Sequence, residues 1–298
     1  MTNFRILKDR LSKNIFLILS LFAILTVVLI AIGLYYKSYP LIRDSSIGQL
    51  LFSSEWKPFK EQFGFASYII GSFMVTLLAI VIALPLSLLT AIYLSEFAPY
   101  KLRQVLTPLI DLLSGIPPVI YGVWGTLFIV PYIQDKLAPH FVDYSSGYCL
   151  LAGGIVLAVM IFPLIISILL EVFDTVPQDL RNASLSLGAN EWETVKSVLL
   201  KKSFPGIIAA TVLAVSRALG ETIAVLMVCG NIAATPHSLF DSVYPLPALI
   251  ANNYGDMMSI PKYDAALMFA ALILFVIIVV FNAVSRIVLY RLEKRNYA

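Results

Sequence analysis

The chain has 298 residues, 59% of them hydrophobic and 13% charged, with a mean hydropathy of +0.88. Soluble domains carry about 25% charged residues, so the composition excludes an ordinary water-soluble domain and indicates an integral membrane protein. The net charge of +3 is small and says little by itself; no nucleic-acid partner is expected. Cys149 and Cys229 both fall in apolar segments and read as packing residues rather than a disulfide or a metal site. His140 and His237 fall in predicted outer loops with no ligand-like spacing, so no metal and no cofactor is assigned. No Gly-Lys dipeptide occurs, so the usual phosphate-cradling nucleotide loop is missing. The chain is not read as an enzyme, and any ATP chemistry must sit on another chain.

Residues 1–14 carry Arg5, Lys8, Arg10 and Lys13 and read as a cytoplasmic N-terminus. An apolar run over 15–36 follows, longer than a signal-peptide core and closed by the aromatic pair Tyr35-Tyr36. It is predicted to be a retained first membrane helix. Residues 37–66 form an outer loop with some order of its own, rich in Trp56, Pro58 and Phe59. The second helix is predicted over about 67–95, kinked at Pro85. A short basic loop with Lys101 and Arg103 leads to a third span, about 104–132. That span is broken at Ser114-Gly115-Ile116-Pro117-Pro118, because Pro117 and Pro118 remove donors and disfavour the preceding helical turn. The break is either a mere kink or non-helical backbone covered by protein or a water-filled cavity. Asp111, one turn before it, reads as an interfacial carboxylate.

The fourth helix, about 147–170, contains the close-packing pair Gly153-Gly154. A connecting loop over 171–204 follows. Thr175 with Gln178, and Asn190 with Glu193, have capping-box spacing. Pro177 suits a first helical turn and Gly188 a helix end. Two short helices in a knuckle are predicted, the simpler alternative being an amphipathic stretch on the membrane surface. The fifth helix is predicted as one piece over about 205–230, then an outer loop over 231–262, a sixth helix over about 263–290 and a tail at 291–298. With both termini cytoplasmic, the inner segments carry 14 Lys/Arg and the outer loops 6, Arg217 completing the 21. The positive-inside rule selects this orientation.

The fifth span carries the sharpest signal. Arg217 and Glu221 are four residues apart and on one helix would share a face. Arg217 would lie about 16 Å into a ~30 Å hydrocarbon core, at a cost of about 2.5–3.5 kcal/mol on the insertion scale. Two readings stand: a structural ion pair locking helices together, or a place where an anion meets the protein within the membrane. Ala210, Ala214, Ala218 and Gly220 allow close packing, so the polar face is turned to a bundle or a pathway rather than to lipid.

Two stretches resemble known families. Asn182-Ala183-Ser184, three residues, Gly188-Ala189, then Val198-Leu199-Leu200 after nine residues from Gly188, resembles the Glu-Ala-Ala loop of bacterial ABC-importer permeases. The family's Glu is Asn182 here, and its Pro after the Leu is Lys201. The resemblance implies that Asn182, Ala183, Ser184, Gly188 and Ala189 belong to a coupling helix that docks on an ATPase. It also implies the type I, MetI-like importer fold over 67–290, an all-α membrane protein with six transmembrane helices. Ser216-Arg217-Ala218-Leu219-Gly220-Glu221-Thr222, with Leu113 to Gly122 and Glu55-Trp56-Lys57-Pro58, is similar to phosphate-importer permeases of the Pst system, C-type subunit. The likeness covers roughly 50–290. It implies a phosphate pathway at Arg217 and Glu221, a helix break at Gly115, Pro117 and Pro118, an ATP-binding dimer, an A-type second permease, and an extracytoplasmic phosphate-binding protein. A bacterial cytoplasmic (inner) membrane location is implied with them. Alternatives are a same-fold permease for molybdate or sulfate, or a non-transporting membrane sensor subunit.

Overall fold

The computed structural model describes residues 2–255, 260 and 262–296, with side chains described between residues 11 and 291 of that set. The basic side chains of Arg5, Lys8 and Arg10, and the end of the tail, lie outside it. Five helical stretches are long and apolar enough to cross a membrane: Leu11–Asp44, Ala66–Phe97, Leu150–Asp174, Glu191–Leu219 and Tyr263–Arg291. The pair Tyr100–Ser114 and Pro118–His140, bent by 92°, makes a sixth when counted as one span.

The first helix, α1, runs Thr2–Asp44, eight residues beyond the end expected at 36. Its apolar sides stay exposed along the membrane stretch, and it packs against α13 (Tyr263–Asn296). After the short α2 (Ile47–Phe52), β1 (Trp56–Lys57) and β2 (Gln62–Phe63) form a small antiparallel ribbon. Trp56 packs edge-on against Phe63, Phe65, Tyr68 and Tyr263, with ring centroids 5.2–6.2 Å apart. Such aromatic pairs contribute beyond area burial, so this ribbon is fastened to the starts of α3 and α13. Lys262 Nζ, 2.9 Å from Asp44 and 2.8 Å from Glu61, adds a polar clamp at the same end.

Helix α3 (Ala66–Ile92) continues through a π-helical turn, Tyr93–Phe97, and holds Pro85 inside it. It is the main packing partner of α7 (Leu150–Asp174). Gly154 makes the contact close: a Cβ there would stand 2.5 Å from a Leu78 methyl. Buried Cys149 and Cys229 carry no disulfide. α4 (Tyr100–Ser114), α5 (Pro118–Trp124) and α6 (Val130–Tyr132) make the bent third element.

Besides the length of α1, and of α7, which runs Leu150–Asp174 against an expected span of about 147–170, the structure differs from the sequence reading in how three segments are connected. The knuckle's second helix is not separate from the membrane helix. α9 (Glu191–Thr194) passes through a π turn, Val195–Leu199, straight into α10 (Leu200–Leu219), with Pro205 inside the rod. The fifth span is also not one helix to 230: it stops at Leu219 and restarts as α11 (Ile223–Val228). Finally, the segment expected as an outer loop over 231–262 folds back into the bundle. Val243, Leu246, Ala248 and Leu249 are fully buried, α12 (Leu246–Asn253) forms, and the Leu246 N–H donates to Ser72 Oγ at 2.8 Å.

Candidate functional site

Two interrupted helices meet in the middle of the bundle. In the first, the last turn of α4 tightens, with the Gly115 and Ile116 N–H groups donating to Leu112 and Leu113 carbonyls at 3.1 and 3.2 Å. Pro117 then takes an extended ψ of 137° and Pro118 starts α5. Prolines supply no N–H, so the restart leaves fewer donors unpaired. The Tyr121 hydroxyl donates to the Leu113 carbonyl at 2.9 Å, stapling α5 across the bend.

In the second, Gly220 closes α10 and the Glu221 N–H donates to the Ala218 carbonyl at 3.2 Å. The Glu221 carboxylate accepts from the Ala224 N–H at 3.3 Å, satisfying a donor that the start of α11 leaves open. α5 and α11 lie side by side. A Cβ on Gly122 would stand 2.6 Å from Met227 Sδ, and one on Gly125 2.9 Å from a Val228 methyl. The Thr126 hydroxyl lies 3.3 Å from the Met227 carbonyl and donates to it. The half-helices that follow the two breaks, α5 and α11, are thus packed against each other, although about a hundred residues separate them in the chain.

The charges do not face one another as a helix would place them. Among the described residues no ion pair joins Arg217 to Glu221. Glu221 is half-buried and lines a small cavity with Ser72, Thr76, Leu157, Pro245 and Pro247. Arg217 is exposed on the last turn of α10. Beside it, the Ser216 hydroxyl donates to Asn282 of α13 at 3.1 Å. The arrangement offers a guanidinium with no ion-pair partner among the described residues, at the end of a membrane-length rod and beside irregular backbone, with a carboxylate held back in a separate niche.

The knuckle is built at the far end of α10. α8 (Gln178–Ser186) follows α7 after three residues. It ends with Gly188 in the left-handed region at φ +89°, where the Ala189 N–H reaches the Ser184 carbonyl at 3.3 Å and the Gly188 N–H that of Leu185 at 3.0 Å. Asn190 and Glu193 form the reciprocal capping box, at 2.8 and 2.9 Å. Thr175 and Gln178 do not: the Thr175 hydroxyl turns back to the Val172 carbonyl, and Pro177 is the residue preceding the helix. Asn182 and Ala183 stay exposed on α8, while Ser184 bonds Thr194 across the knuckle at 2.9 Å.

Residues 83–296 match the family of inner membrane components of binding-protein-dependent transport systems. The chain belongs to this family. It is 36% identical over 282 residues to a Methanocaldococcus jannaschii protein named "Probable phosphate transport system permease protein PstC", covering 89% of each chain. It is 35% identical over 260 residues to the phosphate transport system permease protein PstC of Pasteurella multocida, covering 83% of this chain and 81% of that one. The fold is similar to the MetNI methionine ABC transporter in inward-facing form, at 19% identity and a TM-score of 0.54 over 74% of this chain and 91% of the other. A bacterial alginate ABC transporter matches at 15% identity and 0.54, over 84% and 93%. The architecture is the type I ABC-importer permease fold.

Within this permease, four functional candidates escape the sequence. One Arg103 Nη2 bonds both carboxylate oxygens of Asp174 at 2.8 and 2.7 Å, and Arg181 Nη2 lies 3.0 Å from Glu96. Each charge sits near a helix end, where a charge is ordinarily read as interfacial, so nothing in the spacing marks the pairing.

Proposed function

We propose that this chain is the permease subunit through which an ATP-driven importer moves inorganic phosphate across a cytoplasmic membrane. The observation that carries the reading is the exposed Arg217, without an ion-pair partner among the described residues, at the end of α10 next to the break that α11 follows, in a chain whose relatives are named as phosphate permeases. A phosphate dianion needs compensation in a low-dielectric path, and arginine's planar fork matches its oxygens. An anion must also leave. Glu221, close along the chain but turned into its own niche, supplies a negative charge that keeps the site from binding too tightly.

In this reading an ATPase dimer docks on the loop over 175–202, and Asn182, Ala183, Ser184, Gly188 and Ala189 form the docking element. An A-type permease completes the pathway, and an extracytoplasmic binding protein delivers phosphate. Because α9 and α10 form one rod of 29 residues, Glu191–Leu219, roughly 43 Å long at helical rise, a displacement of the knuckle is felt at Arg217. The deciding experiment is uptake of radiolabelled phosphate by the complete complex in vesicles, with molybdate and sulfate as competitors. Phosphate should be taken up only with ATP and the binding protein, and a large excess of either competitor should leave uptake unchanged. Strong inhibition by one of them would reassign the substrate.

Orientation is tested separately. Trp56 and His237 belong on the outer face and Trp192 on the cytoplasmic face. In a background lacking Cys149 and Cys229, a membrane-impermeant thiol reagent should label cysteines placed at 56 and 237 from outside, and at 192 only after permeabilisation. Outside labelling at 192 contradicts the six-span topology.

A further inference from the structure

Under the knuckle, four elements meet around a polar cavity of about 450 Å³ lined by Ser95, Glu96, Arg103, Asp174, Gln178 and Arg181. Glu96 lies in the π turn that ends α3; its Oε1 accepts from the Ser95 hydroxyl at 2.8 Å and stands 3.0 Å from Arg181 Nη2 as an ion pair. Arg181 is on the first turns of α8. Its Nη2 also donates to the Phe173 carbonyl at the end of α7, and its Nη1 to Gln178, each at 3.0 Å. The two side chains are only 12% and 14% exposed, so the pair is shielded from water in a way that Arg103–Asp174, at 34% and 56%, is not.

The connectivity gives this pair a task. α8 is joined covalently to α7 through Thr175, Val176 and Pro177, and by the Arg181 bond to the Phe173 carbonyl. On its other side the knuckle runs covalently into α10 and so reaches the break beside Arg217. Nothing covalent of that kind links it to α4, which carries the other break at Gly115 and Pro117. The Arg181–Glu96 contact does: it ties α8 to the α3–α4 corner, and Arg103–Asp174 ties α4 to the root of the knuckle. We propose that Arg181 and Glu96 are positioning residues that make the knuckle and the α3–α4 corner one moving body, so that a single displacement of α8 acts on both helix breaks. This rests on the coupling role assigned above to the 175–202 loop.

The complete transporter tests it in two ways. Spin labels at positions 101 and 179, both exposed and outside the ion pairs, are placed in a chain with Cys149 and Cys229 replaced by alanine and with Glu96 and Arg181 intact. Their distance should be the same without nucleotide and with the ATPase trapped in ATP. A distance that changes on trapping overturns the single-body proposal. The result needs only the labelled chain to assemble with the ATPase, which co-purification checks, and not the Glu96 or Arg181 variants. Second, Glu96→Gln and Arg181→Gln should each lower phosphate transported per ATP hydrolysed by about fivefold or more, the lower end of typical coupling, while the ATPase still co-purifies. The double variant should be no worse than either single. Singles with an unchanged ratio, or a double whose loss is the product of the two, would refute the latch. If the unaltered complex shows no ATP-driven phosphate uptake, the transport reading fails instead, whatever the labels report.

Discussion

Arg217→Gln should abolish phosphate uptake while leaving the complex assembled, and adding Glu221→Gln should not restore it. Were the two charges a structural ion pair, each single change would leave a buried charge uncompensated and the double would be the milder variant. The structure argues against that account, since Arg217 is exposed and Glu221 is occupied with the Ala224 N–H in its own niche. Among the described residues no ion pair joins the two for the double change to remove. Hydrogen bonds to a charged group are worth about 1.5–3 kcal/mol, roughly 10- to 150-fold in affinity, and an anion crossing the membrane has few substitutes for them. Arg217→Lys should recover little, because an ammonium lacks the planar fork. Glu221→Gln alone should be the mildest of the set: the amide oxygen can still accept from the Ala224 N–H, and only the charge is lost. Uptake in reconstituted vesicles decides this, and near-normal transport by the double variant would overturn the anion-site reading.

Gly188→Val should disconnect the ATPase from transport. A Cβ at Gly188 meets nothing within 4 Å, so the effect is one of backbone conformation and not of crowding. At φ +89° an L residue loses about 1–2 kcal/mol, and a β-branched one more. That is enough to displace the two hydrogen bonds that close α8 and to misdirect the knuckle relative to the α9–α10 rod. The expected result is normal membrane insertion with either poor co-purification of the ATPase or hydrolysis without uptake. Gly188→Asn is the control, since asparagine tolerates the left-handed region, and it should stay close to the unaltered protein. A valine variant with full ATPase recovery and full uptake would remove Gly188 from the coupling element.

Recovery of the ATPase is the readout that separates the two ends of the α9–α10 rod, since hydrolysis without uptake can arise at either. The Arg217 variants should hydrolyse ATP without moving phosphate and keep the ATPase bound. The Gly188 variant should fail at the ATPase. Variants of the Arg181–Glu96 latch lie between, with the ATPase bound and the transport ratio reduced.

What the sequence determines here is what neighbouring residues decide among themselves. Apolar runs longer than the bilayer core specify the spans. Pro117-Pro118 must interrupt a helix because two donors are missing in succession. Gly188 and the Asn190–Glu193 box specify a stop and a start through contacts no more than five residues long. The family likeness is legible for the same reason, being carried by short local motifs. Tertiary structure alone decided the rest. Gly220-Glu221-Thr222 contains no proline and reads as helix. It breaks where α5 packs on α11 through Gly122 and Gly125, and where Glu221 finds a backbone donor and a niche against Ser72 and Pro245. Pro205 reads as a helix start, yet lies inside a rod that begins fourteen residues earlier. The polar stretch after Asn231 reads as loop, but Val243 to Leu249 is buried because Ser72 on α3 accepts from the Leu246 N–H. Arg103–Asp174, 71 positions apart, and Arg181–Glu96 leave no trace in local spacing. A charge's partner across a bundle is chosen by which helix ends the packing brings together, and that choice belongs to the fold.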